Sequence, residues 1–354
     1  MKRVGSVFFC AIFFILILLP PVLMPWSRNL QTENRLPAPA PEVFKNGGLN
    51  LSLPGDIEEY FKDRFAGRTQ MINAYSRIVG WLFNVSANDK VVMGRDGWLF
   101  FQETVGDYTG NSALSDTEMD ALINALLEIK RAAEARGQVF LIAIAPNKNS
   151  IYGEYMPRRY KKTVDPTNYE RLMAAGGLDF IDLHSSLLEM DRPMYYLTDT
   201  HWNGLGAHLA AREIMLAIEE KTGVMADFDW DATMPKTGPV TGDLGRMLYP
   251  ENPPEETDYF FDDVDQSFST VGRYRSPDDL HITTESDGAT LHLAIYRDSF
   301  ANSLIPYFSN AYSNVYYTRQ TPPPMDSAAM QEADVIIFEL AERRIGELYY
   351  SLLP

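Results

Sequence analysis

Two short stretches of this 354-residue chain bring together residue types that carry out acyl chemistry. In Thr198-Asp199-Thr200-His201-Trp202-Asn203 a carboxylate and an imidazole stand two residues apart. In an extended segment such side chains point to one face, and a carboxylate beside an imidazole fixes the ring's tautomer and stabilises its protonated form, as a serine's general base requires. In Tyr296-Arg297-Asp298-Ser299-Phe300 a serine follows the apolar run Leu291 to Tyr296 by three residues. A hydroxyl at a strand-to-helix turn lies at the sheet edge, beside N–H groups able to bind a developing oxyanion. The same residues also fit plainer roles. Ser299 is a good N-cap, and Asp199 and His201 could cap the helix in which Leu205, Leu209, Ala210, Ile214, Ala217 and Ile218 recur at helical spacing. A zinc site would need a third ligand, and no further histidine stands in register, so neither a metal nor another cofactor is expected.

Other polar residues follow strands in the same way. Asn147 and Lys148 come just after Val139 to Ile144, where an amide could complete an oxyanion hole. Arg319 comes just after Asn314 to Thr318, where it could bind substrate or simply be solvated. Trp202 could pack or stack on a pyranose ring, and Arg343 could pair with Glu339 or Glu342 along a helix. Five apolar runs read as strands: Val139 to Ile144, Leu178 to Ile181, Leu291 to Tyr296, Asn314 to Thr318 and Val335 to Phe338. Helical patterns lie between most of them, including one from Ser115 to about Arg136 that opens on a Ser115/Glu118 capping box. Short apolar strands alternating with helices predict an α/β fold in three layers, a parallel sheet covered on both faces. Upstream, an amphipathic helix is expected from Asp56 to Phe83. A hairpin is expected where Gly94, Asp96 and Gly97 separate Val91-Val92-Met93 from Trp98-Leu99-Phe100-Phe101. About 224–290, rich in Pro, Gly, Asp and Glu, reads as an irregular insertion.

The formal net charge of -17 argues against a nucleic-acid partner, because phosphate binding is driven by Lys and Arg. The one cysteine, Cys10, lies in the first apolar run, so the folded part has no intrachain disulfide, thiolate zinc site or cysteine nucleophile. That run, Val7 to Leu19, follows Lys2 and Arg3 and lacks a small-x-small cleavage site after it. Such a segment is a signal peptide or a membrane anchor, and it reads as an uncleaved anchor over 1–28, long enough to cross the hydrocarbon core, with Trp26 and Arg28 at the far interface and the remainder outside the cytoplasm. Residues 29–55, with Pro37, Pro39, Pro41, Gly47 and Gly48, read as a linker, and 56–354 as the folded domain.

The Thr198–Asn203 block together with Arg297-Asp298-Ser299-Phe300 resembles the SGNH-hydrolase-like domain of the alginate O-acetyltransferase group, related to DHHW proteins. Val91 to Phe100, Ala145-Pro146-Asn147-Lys148 and Glu339-Leu340-Ala341-Glu342-Arg343 extend the resemblance over most of the chain beyond the anchor. Thr200 and Arg297 depart from the wider pattern, Arg297 standing where many such proteins carry glycine. The resemblance implies an SGNH-like fold with Ser299 as nucleophile, His201 as base and Asp199 as its orienting carboxylate. It further implies acetyl transfer to a periplasmic polysaccharide, with acetyl relayed by a membrane-bound O-acyltransferase. A carbohydrate esterase using the same residues and a catalytically silent scaffold of an export complex are the alternatives. So acidic a domain is expected to repel a polyanionic acceptor unless Arg297, Arg319 and Lys148 form a positive strip.

Overall fold

The computed structural model describes residues 2–24, 38–45, 47–226, 228, 230, 235–261, 264 and 268–353. The chain divides into two compact units, one of residues 1–93 with 241–254 and one of 94–240 with 255–354. In the first unit, α1 spans Lys2–Leu23 and exposes Val7, Phe8 and Phe9. Among the described residues no helix is long and apolar enough to cross a membrane, so the span expected over 1–28 rests on the sequence. Trp26, Arg28 and the linker positions 29–37 and 46 lie outside the described residues. The single helix expected from Asp56 to Phe83 is two, α2 (Leu53–Arg64) and α3 (Arg68–Phe83). Gly67, at φ 81, breaks it in a left-handed conformation that a side chain would resist.

The second unit is built on a seven-stranded sheet. Helix α4 is Asp116–Glu134, strand β1 Val139–Ala145, β2 Phe180–Ile181 and α5 Gly204–Thr222. Then come β3 (Ser269–Thr270), β4 (His281–Glu285), β5 (Ala289–Tyr296), α6 (Ile305–Ala311), β6 (Tyr312–Thr318), β7 (Val335–Ala341) and α7 (Ile345–Leu352). The spatial order is β2-β1-β7-β5-β6-β4-β3. The first five of these run parallel, and they are the five apolar runs read from the sequence. β4 adds antiparallel to β6, and β3 adds antiparallel to β4 at the edge. Both fall inside the stretch read as irregular, because their Ser, Thr, Glu and His content does not announce a buried strand. Insertion positions 227, 229, 231–234, 262–263 and 265–267 lie outside the described residues.

β1 is apolar along its whole length, and β7 is apolar from Val335 to Phe338, because both faces are covered. On one face Phe140, Ile142, Ile336 and Phe338 pack with Leu122 and Leu126 of α4 and with Ile345 and Leu348 of α7. On the other, α5 packs on β1 and β2 with Ala207, Ala210, Ala211 and Ile214 buried. Small residues on α5 let the helix approach the sheet closely. Both bonds of the capping box are present at α4, Ser115 accepting from the Glu118 N–H and Glu118 accepting from the Ser115 N–H. The turn expected before Leu99 is closed by the Gly94 N–H donating to the Trp98 carbonyl (2.8 Å). Asp96 and Gly97 take positive φ there, 55 and 85.

Candidate active site

At the carboxyl end of β5, Arg297 N–H still donates to the Thr318 carbonyl (2.9 Å), which extends the sheet by one residue before the chain turns. Asp298 then braces the turn. Its Oδ1 accepts from the Phe300 N–H (2.9 Å) and its Oδ2 from the Ala341 N–H at the end of β7 (2.8 Å). Ser299 follows in helical conformation, ahead of a 3-10 turn, Phe300–Ser303. Its side chain makes no capping bond, and Asp298 Oδ1 takes the first N–H of the turn. The hydroxyl is thereby left for another partner.

That partner is His201, whose Nε2 lies 2.9 Å from Ser299 Oγ, while its Nδ1 lies 2.7 Å from Asp199 Oδ1. The geometry that joins Asp199 to His201 differs from the extended segment expected. Residues 196–201 form a tight loop closed by the bridge between Tyr195 and Trp202. Asp199 Oδ1 also accepts from the His201 backbone N–H (3.0 Å), the local turn that aspartate favours. Neither residue caps α5. Asn203 does, its Oδ1 accepting from the N–H groups of Leu205 (3.0 Å) and Gly206 (3.1 Å). The side chains of His201 and Asp199 are 28% and 18% exposed, so the pair is partly screened but open to a substrate.

Two charged residues hold this loop from opposite sides. Lys148 is buried, and its Nζ donates to the carbonyls of Tyr196 (3.0 Å), Leu197 (3.0 Å) and Asp199 (2.7 Å), over the rings of Trp98 and Phe100. Glu256 accepts from the N–H groups of Leu197 (2.6 Å) and Thr198 (2.9 Å) and from the Thr198 hydroxyl. Lys148, expected near substrate or an oxyanion, thus donates to the backbone of the loop that carries Asp199 and His201. Sequence reasoning missed Glu256, since it lies in the stretch read as an insertion. Its one local signal is an acidic residue in a β-prone run.

The remaining expected contacts are also engaged within the protein. Asn147 is buried; its N–H donates to Glu342 Oε2 (2.8 Å) and its side-chain amide to Asp107 Oδ2 (3.0 Å). Glu342 is buried as well, and burial pushes its carboxyl up to about 7 against the bonds from Ser150 and Asn147. Arg297 is 2% exposed. Its guanidinium donates to Asn302 Oδ1 (2.6 Å) and to the carbonyls of Pro277 (2.6 Å) and Asp279 (3.3 Å), tying that segment to the Ser299 turn. Burial lowers the Arg297 pKa, and the neighbouring Arg319 lowers it further. Arg319 donates to Asp278 (2.8 Å) and lines a cavity of about 190 Å³ with Asp298, Thr321 and Arg344. Trp202 packs, its ring edge-on to Phe300 and its Nε1–H donating to Ser303 Oγ (2.7 Å).

Arg343 departs from the helical ion pair expected of it. Its guanidinium lies over the rings of Phe300 (5.4 Å) and Phe101 (5.7 Å), which sets a cation beside the residue that follows Ser299. Glu339, from β7, accepts from the Asp298 N–H (3.3 Å). Burial and then the nearby Asp298 carboxylate push it well above the ordinary carboxylate range. Chemically, the arrangement of Asp199, His201 and Ser299 can activate a hydroxyl for attack on an ester carbonyl.

Residues 91–284 match the family described as SGNH hydrolase-like domain, acetyltransferase AlgX. The match includes Asp199 and His201 and ends before Ser299. A protein described as probable alginate O-acetylase AlgJ from Pseudomonas syringae pv. tomato is 26% identical over 254 residues, 70% of this chain and 61% of that protein. The chain thus spans about three fifths of that relative's length. Among solved structures, Bacillus cereus PatB1 superimposes with a TM-score of 0.58 at 14% identity, covering 72% of this chain and 96% of that one. A DHHW family protein from Eubacterium siraeum gives 0.51 at 15% identity, covering 73% and 94%. These likenesses extend the SGNH-like α/β architecture across the sheet described above. With more than half its length matched, the chain belongs to the AlgX-type family of SGNH hydrolase-like acetyltransferase domains.

Proposed function

We propose that this chain is an O-acetyltransferase that moves acetyl groups onto hydroxyls of an exported polysaccharide, with Ser299 as nucleophile, His201 as general base and Asp199 as its orienting carboxylate. The observation that carries the reading is the continuous path from Asp199 Oδ1 through both ring nitrogens of His201 to Ser299 Oγ, with spacings of 2.7 and 2.9 Å. Ser299 Oγ attacks the acetyl carbonyl of the donor as its proton passes to His201 Nε2. The tetrahedral adduct collapses, the donor oxygen leaves with that proton, and acetyl remains on Ser299. A sugar hydroxyl then gives its proton to His201, attacks the acetyl-serine, and leaves as the ester while Ser299 recovers its proton.

The cationic start at Lys2 and Arg3 and the exposed apolar side chains of α1 support a single-pass anchor in a bacterial inner membrane with the remaining chain in the periplasm. An anchored enzyme is suited to receive acetyl from a membrane-bound O-acyltransferase. The partial exposure of His201 favours one further reading, in which water replaces the sugar and the protein is a carbohydrate esterase.

Incubating the protein with an acetyl ester and mass-mapping its peptides should place one acetyl group on the peptide containing Ser299, and Ser299→Ala should carry none. Unchanged labelling of Ser299→Ala sinks the assignment. Adding oligosaccharide should divert product from free acetate to acetylated sugar, whereas acetate alone would support the esterase.

A further inference from the structure

Helix α3 is built inside out. Its buried positions are Thr69, Asn73, Ser76 and Gly80, a polar and small stripe at helical spacing. Exposed apolar positions include Met71, Tyr75, Ile78 and Leu82, displaced by two residues and hence about 200° around the helix. Trp81 (84% exposed) and Phe83 widen the apolar face. A helix on a water-facing surface places these stripes the other way round, and exposed apolar patches of this kind mark an interaction surface. The orientation also has a cost in the buried stripe. Thr69 Oγ1 and Asn73 Oδ1 are enclosed with no hydrogen-bond partner among the described residues, which destabilises the unit unless the apolar face gains elsewhere.

The occupant follows from charge, aromatic content and position in the chain. Between Arg64 and Asn88 stand Arg64, Arg68 and Arg77 and no acidic residue, although the whole chain carries 48 Asp and Glu. Arg68 and Arg77, on the helix that exposes this tryptophan, tyrosine and phenylalanine, suit the interface of an anionic bilayer, with Arg77 also donating to the Asn252 carbonyl (3.1 Å). The same unit opens with α1, whose apolar side chains are exposed to their surroundings as well. We propose that α3 lies in the plane of a membrane surface rich in anionic lipid, its Met71–Leu82 stripe buried in the headgroup and acyl boundary. The unit is then held flat by a second contact beyond the amino-terminal helix. This surface is independent of the acetyl-transfer reaction.

The test uses the full chain with Cys10→Ser, reconstituted in vesicles of phosphatidylethanolamine and phosphatidylglycerol. A single cysteine at Ile78→Cys carries an environment-sensitive fluorophore, and Asp120→Cys, at an exposed position of α4, serves as the control. The label at 78 should show blue-shifted emission that is quenched when the lipid acyl chains are brominated, and the label at 120 should stay water-like and unquenched. The blue shift should weaken in vesicles of phosphatidylcholine alone. Water-like emission at 78 would overturn the proposal. A blue shift without lipid quenching would overturn it too, since a second copy of the chain would then cover the face. An equal shift in phosphatidylcholine would remove the role of anionic lipid.

Discussion

Single residues in this protein are defined by what they are bonded to more than by their type. Ser299 occupies an N-cap position, yet Asp298 does the capping and the serine hydroxyl meets His201. Glu342 shows the same dependence on surroundings. It is buried against the Asn147 N–H and the Ser150 hydroxyl, and burial moves its carboxyl from 4.5 up to about 7. Between those values the folded state binds more protons than the unfolded one, so the contribution of Glu342 to stability falls as pH rises from about 4.5 to about 7 and is level above that. Glu342→Gln keeps an acceptor for both donors and abolishes this slope. Urea unfolding at pH 5 and pH 8 should show the variant gaining on the native protein by on the order of 2 kcal/mol at the higher pH. Parallel pH profiles for the two proteins would show that Glu342 does not titrate in this range.

At the scale of elements, the catalytic candidates depend on a loop that has no regular structure of its own. Residues 196–201 are held by the Lys148 ammonium on their carbonyls and the Glu256 carboxylate on their N–H groups. These are charge-assisted bonds from a helix after β1 and from a strand distant in sequence. Lys148→Met keeps the bulk of the side chain and removes three donated bonds. It should lower stability by about 2–3 kcal/mol and lower kcat by on the order of 10²-fold as His201 drifts from Ser299. The KM for an acetyl ester should change little, because the bonds lost are those that Lys148 donates to the loop carbonyls. A variant with reduced stability and unchanged kcat would show that the loop keeps its shape without the clamp.

For the molecule as a whole, the charge of -17 bears on the acceptor. Of the three cations that could have formed a positive strip, Lys148 and Arg297 are buried and bound to backbone carbonyls, and Arg319 is paired with Asp278. A neutral or weakly charged glycan is therefore the expected acceptor. Polyuronate oligomers should bind more weakly, and their affinity should rise between about 0.05 and 0.5 M salt as repulsion is screened. Calorimetric titration across that range checks this. Tight polyuronate binding that persists at high salt would count against it.

The sequence by itself determined the parallel half of the sheet, because strands buried on both faces need uninterrupted apolar runs such as Val335 to Phe338 and such runs are visible without a partner. It also determined the α4 cap and the pairing of Asp199 with His201, both made by residues within three positions of each other. Tertiary structure alone decided the rest. Strand β3 is the sheet edge and β4 its neighbour, and their Ser, Thr, Glu and His residues give no apolar run to read. Glu256 reaches the 197–198 loop across 58 or 59 residues, and Arg343 lies over Phe300 rather than beside Glu339 or Glu342. The same holds for α3, whose apolar spacing is legible while the side it faces is not. Hydrophobic periodicity reports that a stripe exists, and only the packed chain decides whether that stripe turns inward or out.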